Sequence, residues 1–301
     1  MTDFDTTQRF VFDNSDIRGE IVTLRESFQK AVEHQRLTPQ QKRLLGEFFV
    51  AVTLMSETLK FDGLLTLQAR GDGIIPLVMA ETTHNGHMRG IIKASGEFVQ
   101  CDIQVGDAKV DASDFKQLIG NGVLTLTMDP KKGERYQGIV PLEGSTLADC
   151  LSRYFMQSEQ LPTHFWIFSD SETAGGLLLQ GLPAQKVPDN ETRQNQWLTA
   201  VQLASTVTAR ELFELDHDAV LYRLFNEINC RLFAGRNIIF QCSCTRERSA
   251  NAIASLGKHE AFELLNEREV INADCQFCGQ IYVFNEADVI DLFGEKGLPL
   301  H

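Results

Sequence analysis

Between residues 74 and 94 the chain reads IIPLVMAETTHNGHMRGIIKA. The Asn85-Gly86 pair is a hairpin signal, because turn residues of this kind sit between two runs that favour strands. Ile74 to Glu81 and His87 to Ala94 therefore read as two antiparallel strands. The same texture continues on both sides. Upstream, Phe61 to Ala69 reads as a strand, and Arg9 to Asp13 and Ile17 to Leu24 alternate about the turn Asp13-Asn14-Ser15-Asp16. Downstream, strands are expected at Val123 to Met128, Tyr136 to Val140, Phe165 to Phe168 and Leu177 to Gln180.

Helices are few. Thr38-Pro39 opens one, with Pro at the first helical position and Leu44, Leu45, Phe48, Phe49 and Val52 at helical spacing. A second is expected over Thr146 to Gln157. Many neighbouring strands with few helices between them predict an α+β fold, with a largely antiparallel sheet domain over 1–183.

The chain has 301 residues, so two domains are the natural expectation. Its 43% hydrophobic and 23% charged residues are ordinary for a globular protein. A net charge of −13 speaks against nucleic-acid and anionic-membrane partners, because phosphates would be repelled. No apolar run approaches the roughly 20 residues needed to span a bilayer. The acidic start, Met1-Thr-Asp-Phe-Asp, has neither the basic flank nor the apolar stretch of a signal peptide. A cytoplasmic protein is expected, and its seven cysteines read as thiols or metal ligands instead of a secreted disulfide framework.

Composition shifts at Leu182-Pro183. Ala184 to Asn195 is polar and carries Pro188, which suits a boundary, and Gln196 to Phe233 reads as helical. Val220, Leu221, Leu224, Phe225, Ile228 and Leu232 form an apolar stripe that needs a surface to cover it. Residues 184–241 are thus expected to form a helical linker, although permanent packing on the first domain explains the stripe as well. The last stretch, 242–301, holds 10 acidic and 5 basic residues. Sixty residues make a marginal core, and such a unit needs a staple.

The cysteines supply one. Cys242-Ser-Cys244 and Cys275-Gln-Phe-Cys278-Gly279 make two close pairs, and four thiolates in tetrahedral array satisfy one zinc ion. Gly279 suits a zinc knuckle, whose turn requires positive φ. Arg246 to Leu256 and Glu260 to Asn266 read as short helices, and Glu269 to Ala273 and Gln280 to Phe284 as strands flanking the knuckle. One intervening residue would strain a disulfide between Cys242 and Cys244, and strained disulfides are the labile kind. Zinc-held thiolates are the form that oxidants attack. Oxidation would remove the ligands and, with them, much of the stability of this small domain. An inert structural staple is the competing reading of the same four residues.

Other constellations are weaker. Cys101, Cys150 and Cys230, the last placed in the apolar helix, read as buried thiols. His84 and His87 bracket the hairpin turn, and Gly71-Asp-Gly73 is too short for a phosphate loop. No Gly-x-Ser-x-Gly elbow is present. Nothing demands catalysis, and no enzyme is expected.

Taken together, the chain resembles the redox-regulated holdase chaperones of bacteria, the heat-shock protein 33 family. The Cys-x-Cys and Cys-x-x-Cys fingerprint falls on Cys242, Cys244, Cys275 and Cys278. Tyr136-Gln-Gly-Ile-Val-Pro-Leu-Glu-Gly144, Tyr154-Phe155, Ser158-Glu-Gln-Leu-Pro-Thr163 and Gly175-Gly176 before Leu177-Leu178-Leu179-Gln180 are similar to that family's segments.

The resemblance implies a stress-response chaperone held inactive by one zinc per chain in a reducing cytoplasm. Under oxidative stress, disulfides Cys242–Cys244 and Cys275–Cys278 would form, the metal would be lost, 242–301 would unfold and the linker would loosen. Unfolding client proteins would then bind without ATP to an active dimer and pass later to ATP-dependent foldases. Val220, Leu221, Leu224, Phe225 and Ile228 become the candidate client surface. Two other classes compete: a zinc-ribbon module for a protein or nucleic-acid partner, and a thiol oxidoreductase using Cys275 and Cys278. The charge of −5 over 242–301 counts against nucleic acid. A strand-like run after Cys278-Gly279 counts against the oxidoreductase, whose motif opens a helix.

Overall fold

A computed structural model describes residues 3–59, 62–94, 104–105, 108–109 and 115–294. The chain divides into two compact units, Met1–Gln241 and Cys242–His301. The first unit is α+β, with two six-stranded sheets.

One sheet contains β1 (Thr6–Phe12), β2 (Ile17–Leu24), β10 (Thr163–Ser169), β11 (Ala174–Gly181), β12 (Cys230–Leu232) and β13 (Arg236–Asn237). Its order is β10-β11-β2-β1-β12, with β13 also on β1, and every pairing is antiparallel. The other sheet runs β14-β5-β4-β3-β8-β9. Its members are β3 (Gly63–Gly71), β4 (Leu77–Thr83), β5 (His87–Lys93), β8 (Gly122–Pro130), β9 (Tyr136–Val140) and β14 (Ile239–Phe240). Among the described strands only β14, on β5, pairs in parallel. A separate pair, β6 (Gln104–Val105) and β7 (Ala108–Lys109), is antiparallel. The hairpin expected at Asn85-Gly86 joins β4 to β5 through a three-residue turn, 84–86. Gly86 alone takes a positive φ there, +80°, the αL position of a bulged three-residue hairpin.

Between the sheets runs α2 (Pro39–Thr58). Its start is closed by a reciprocal cap: the Gln41 amide N–H donates to Thr38 Oγ1, and the Thr38 N–H donates to Gln41 Oε1 at 2.9 Å. Leu44, Leu45, Phe48, Phe49 and Val52 are buried, as are Val50, Leu54 and Met55 on other faces. A helix buried all round needs apolar partners on two sides, and the two sheets provide them. A glycine in each sheet lets it approach. A Cβ at Gly90 would lie 2.7 Å from the Phe49 ring, and one at Gly176 would lie 2.5 Å from Val50 Cγ1. The end of α2 is capped by arginines: Arg9 Nη2 donates to Glu57 O at 2.9 Å and Arg18 Nη2 to Thr58 O at 3.0 Å.

Shorter helices fill the margins. α4 (Leu147–Tyr154) starts at a Thr146–Asp149 capping box and runs into a π-helical turn, Phe155–Glu159. α1 (Glu26–Val32) and α3 (Phe115–Ile119) were not expected from sequence. The cap of α1 is remote: Asp5 carboxylate oxygens accept from the amides of Glu26 and Ser27, at 3.0 and 2.8 Å. No local pattern at residues 22–32 announces it.

The stretch expected to be helical from Gln196 to Phe233 is corrected at both ends. α5 (Asn190–Ala204) begins earlier, because Asp189 accepts the Thr192 amide at 2.7 Å and caps it. α6 (Ala209–Glu214) and α7 (His217–Phe225) follow. Helix then gives way to β12, which pairs Phe12 with Cys230 and Phe10 with Leu232. Cys230 is therefore on a strand. Its spacing fits helix or strand equally, and the open edge of β1 selects the strand. α5, α6 and α7 cover the face of the first sheet opposite α2, around Phe10, Phe12, Ile21, Leu177 and Leu179. No described helix is long and apolar enough to cross a membrane.

Candidate metal centre

The second unit is small. α8 (Arg246–Leu256) and α9 (Lys258–Arg268) precede a hairpin of β15 (Ile271–Asp274) and β16 (Ile281–Phe284), and α10 (Glu286–Phe293) closes it. Among its described residues the buried core is six side chains: Ile253, Ala261, Leu265, Ile271, Phe284 and Val289. So few apolar groups leave such a unit marginal without a cross-link.

The hairpin builds half of the centre. Asp274 pairs with Ile281, and the chain between them turns through Cys275 to Gln280. The Cys275 amide donates to Gln280 O at 2.9 Å, and the Gly279 amide to Cys275 O at 2.8 Å. Gly279 sits at φ +69°, as its place in the knuckle requires. The turn faces Cys275 and Cys278 toward the Cys-x-Cys loop. That loop is steadied by Arg248, whose Nη1 donates to the carbonyl and hydroxyl oxygens of Ser243 at 2.9 and 2.8 Å.

All four sulfurs lie within 4.8 Å of one another. Cys242 Sγ is 3.6 Å from Cys275 Sγ, and Cys244 Sγ is 3.4 Å from Cys278 Sγ. Zinc–sulfur bonds of about 2.3 Å in tetrahedral array would set sulfurs about 3.8 Å apart. The donor set and its spacing thus fit zinc. All four cysteines are half-buried, open enough for an oxidant to reach.

Two groups that sequence reading passed over shape this centre. The Tyr282 hydroxyl donates to Cys244 Sγ at 3.3 Å. Burial raises the Cys244 thiol, but the Tyr282 bond and those from the three other cysteines outweigh it and bring the group down to about 7. Burial pushes Cys242 and Cys278 the other way. A sulfur already inclined to the thiolate is a ready ligand and a ready target. Arg246 is the second group: its guanidinium lies over the Phe284 ring, 4.3 Å from the centroid, and bonds Asp288 at 2.9 Å. The strand alternation of Tyr282 with Phe284 beside the knuckle was the available signal for Tyr282. Nothing local marks Arg246.

The remaining sequence candidates lie elsewhere. Cys150 is fully buried, and burial raises its thiol. Cys230 is half-buried, and burial pushes it to about 11. Cys101 falls outside the described residues. Val220, Leu221, Leu224 and Phe225 are buried in the first unit, and half-buried Ile228 packs against the same cluster.

Comparison with known proteins agrees with this arrangement. The family model described as Hsp33 protein matches residues 5–285. The 33 kDa chaperonin of Pseudomonas paraeruginosa is 47% identical over 298 residues, covering 99% of this chain and 97% of the relative. That of Azotobacter vinelandii is 47% identical over 302 residues, covering 99% and 98%. A crystal structure of the 33 kDa chaperonin (heat shock protein 33 homolog) from Thermotoga maritima matches with a TM-score of 0.78 at 25% identity, over 96% of this chain and 97% of that one.

Proposed function

The chain belongs to the Hsp33 family, and on that premise we propose that it is a redox-regulated, ATP-independent holdase. It is a chaperone and not an enzyme. The observation that carries the redox reading is the convergence of four half-buried cysteine sulfurs within 4.8 Å on a small unit whose described residues bury six apolar side chains together.

In the resting form Cys242, Cys244, Cys275 and Cys278 would hold one zinc. Bound zinc would keep the sulfurs as thiolates and supply the cross-link the small core lacks. The switch belongs to the thiols. A peroxide oxygen is attacked by one thiolate, giving a sulfenic acid and releasing hydroxide, and the neighbouring thiolate displaces the sulfenic oxygen to close the disulfide. Each disulfide consumes two electrons' worth of peroxide and two ligands. With Cys242–Cys244 and Cys275–Cys278 both closed, no thiolate donor remains and 242–301 loses its staple.

Residues 184–241 act as the linker that loosens next. Val220, Leu221, Leu224, Phe225 and Ile228 then become the client surface. Exposed together they would invite association, which suits capture of unfolding proteins and pairing of two chains in the active form. Clients would pass to ATP-dependent foldases once the cytoplasm is again reducing.

The test is suppression of aggregation of an unfolding protein by the reduced and the peroxide-treated chain, with zinc measured alongside. Activity should appear only after oxidation and together with loss of the metal. Equal activity in both states, or activity with zinc retained, would overturn the reading.

A further inference from the structure

We propose that residues 188–235 form a strap tethered at both ends, which lifts from the first sheet while 185–187 and 236–241 stay clamped to the core. The basis is that the segment just before the cysteines belongs to a different core from the helices that precede it. Ile238 is buried in the same cluster as Phe49 of α2 and Met88 of β5, and half-buried Phe240 packs against that cluster. Among the described residues, none of 188–235 joins it. Val220, Leu221, Leu224 and Phe225 pack instead with Phe10, Phe12 and Leu177 in a second cluster, to which 236–241 contributes no described residue.

The far clamp is built on both sheets. Arg236 and Asn237 pair with Thr7 and Thr6 of β1, and Ile239 and Phe240 pair with His87 and Met88 of β5. The amides of Ile238, Ile239 and Gln241 donate to Asp5 O, Gly86 O and Met88 O at 2.7, 2.9 and 3.1 Å. The Arg236 guanidinium closes the clamp: it donates to His84 O and to Ser56 Oγ, the latter at 3.1 Å, and pairs with the Glu57 carboxylate near the end of α2. Close fit adds to it, since a Cβ on Gly86 would stand 2.2 Å from Asn237 O. The near clamp is Asp16. Its buried carboxylate accepts from the amides of Gln185, Lys186 and Val187 at 3.2, 2.9 and 3.1 Å, and Lys186 Nζ donates to Phe12 O at 3.2 Å.

Opening along the boundary between two clusters is the less costly path, because contiguous regions with their own packing open as separate units. Lifting the strap exposes the second cluster and breaks the His217 bonds to Gln8 and Thr23, but it leaves α2 sealed between the sheets. Pulling out 236–241 would instead open the α2 core and part Arg236 from Glu57, leaving the carboxylate without its cation. The loosening read above for 184–241 is thereby narrowed to 188–235, and only the role of oxidation rests on that reading. A strap held at both ends meets its own docking face at a high effective concentration, so it re-docks at a rate independent of protein concentration.

Native-state hydrogen exchange on the full reduced, zinc-loaded chain tests both clamps without oxidant. In low urea, amides of α5, α6 and α7 should exchange at least about tenfold faster than those of Ile238, Ile239 and Gln241, which should open with β5. The amides of Gln185, Lys186 and Val187 should open with β2. Opening of either clamp together with α5, α6 and α7 would overturn the assignment. A specific-protease site inserted between Leu215 and Asp216 gives a second readout. Once peroxide exposes the site and it is cut, the two halves should still co-elute in size exclusion, and Arg236→Met with Ile238→Ser should release the second half. Separation of the halves without those substitutions, or their retention with them, would also overturn the strap. Should the double variant not fold, the order of exchange and the co-elution of the unsubstituted halves decide. Resistance of the site to cleavage after peroxide, with the order of exchange as expected, would count against the proposed function alone.

Discussion

The rings of Phe12 on β1 and Phe225 on α7 meet edge to face with centroids 4.9 Å apart. Phe10 joins them, 6.0 Å from Phe225. Through this trio the last helix before the metal centre is pinned to the first strand of the fold, and burial of each ring contributes about 1.5–3 kcal/mol.

Phe225→Ala should therefore cost about 3–5 kcal/mol. The loss should fall first on α5 to β12, because the cavity opens at their interface with the sheet. Hydrogen exchange should show faster amides over 190–232 and unchanged ones in β8. Uniform loosening of the whole first unit would show that the helices have no independent stability.

Reduced protein should carry one zinc per chain, and the double variant Cys275→Ser, Cys278→Ser should lose it. Metal content and thiol titration measure both. Full retention of zinc in the double variant would mean that the four sulfurs are not its ligands.

Replacing Cys101, Cys150 and Cys230 together by Ala should leave oxidant-induced activity intact. Burial raises the Cys150 and Cys230 thiols and so disfavours the reactive thiolate. A variant that folds but no longer switches would contradict this.

Acid should weaken the anchoring of α7. His217 is fully buried; its Nδ1 lies 2.6 Å from Gln8 Oε1 and its Nε2 3.1 Å from Thr23 Oγ1. Burial, opposed by the nearby carboxylates of Asp3, Asp216 and Asp218, holds it down at about 4. An unfolded histidine, near 6.5, binds its proton first, so this contribution is complete above pH 6.5 and is lost as pH falls toward 4. Between pH 7 and 5 the loss should be about 2 kcal/mol. His217→Gln, read by urea midpoints, should flatten that slope; an unchanged slope would assign the pH dependence to other groups.

Peroxide treatment should remove amide protection across both 196–233 and 242–293 while β8, Gly122–Pro130, stays protected. If 196–233 kept its protection, the apolar stripe would be ordinary core and the client surface would lie elsewhere.

Features set by near neighbours along the chain could be read from residue order. The Thr38–Gln41 box needs four consecutive residues, the β4–β5 turn needs Asn85-Gly86, and the knuckle needs Cys275 to Gly279. Each is governed by the φ preferences and hydrogen-bonding reach of adjacent groups. The class of fold and the four sulfur donors followed from such local rules. What required the folded chain involves partners far apart in sequence. Cys230 to Leu232 is a strand because β1 offers an unpaired edge. α1 starts where it does because Asp5 reaches its amides from about 20 residues away. Cys244 is tuned by Tyr282, 38 residues downstream. The apolar stripe of α7 fits a linker or a core equally well in residue order, and only packing against Phe10 and Phe12 shows what covers it. Local propensity is a matter of tenths of a kilocalorie per residue, about 0 to 0.7 kcal/mol for most. Burial of one large side chain outweighs several such preferences, so wherever the two compete the distant partner prevails.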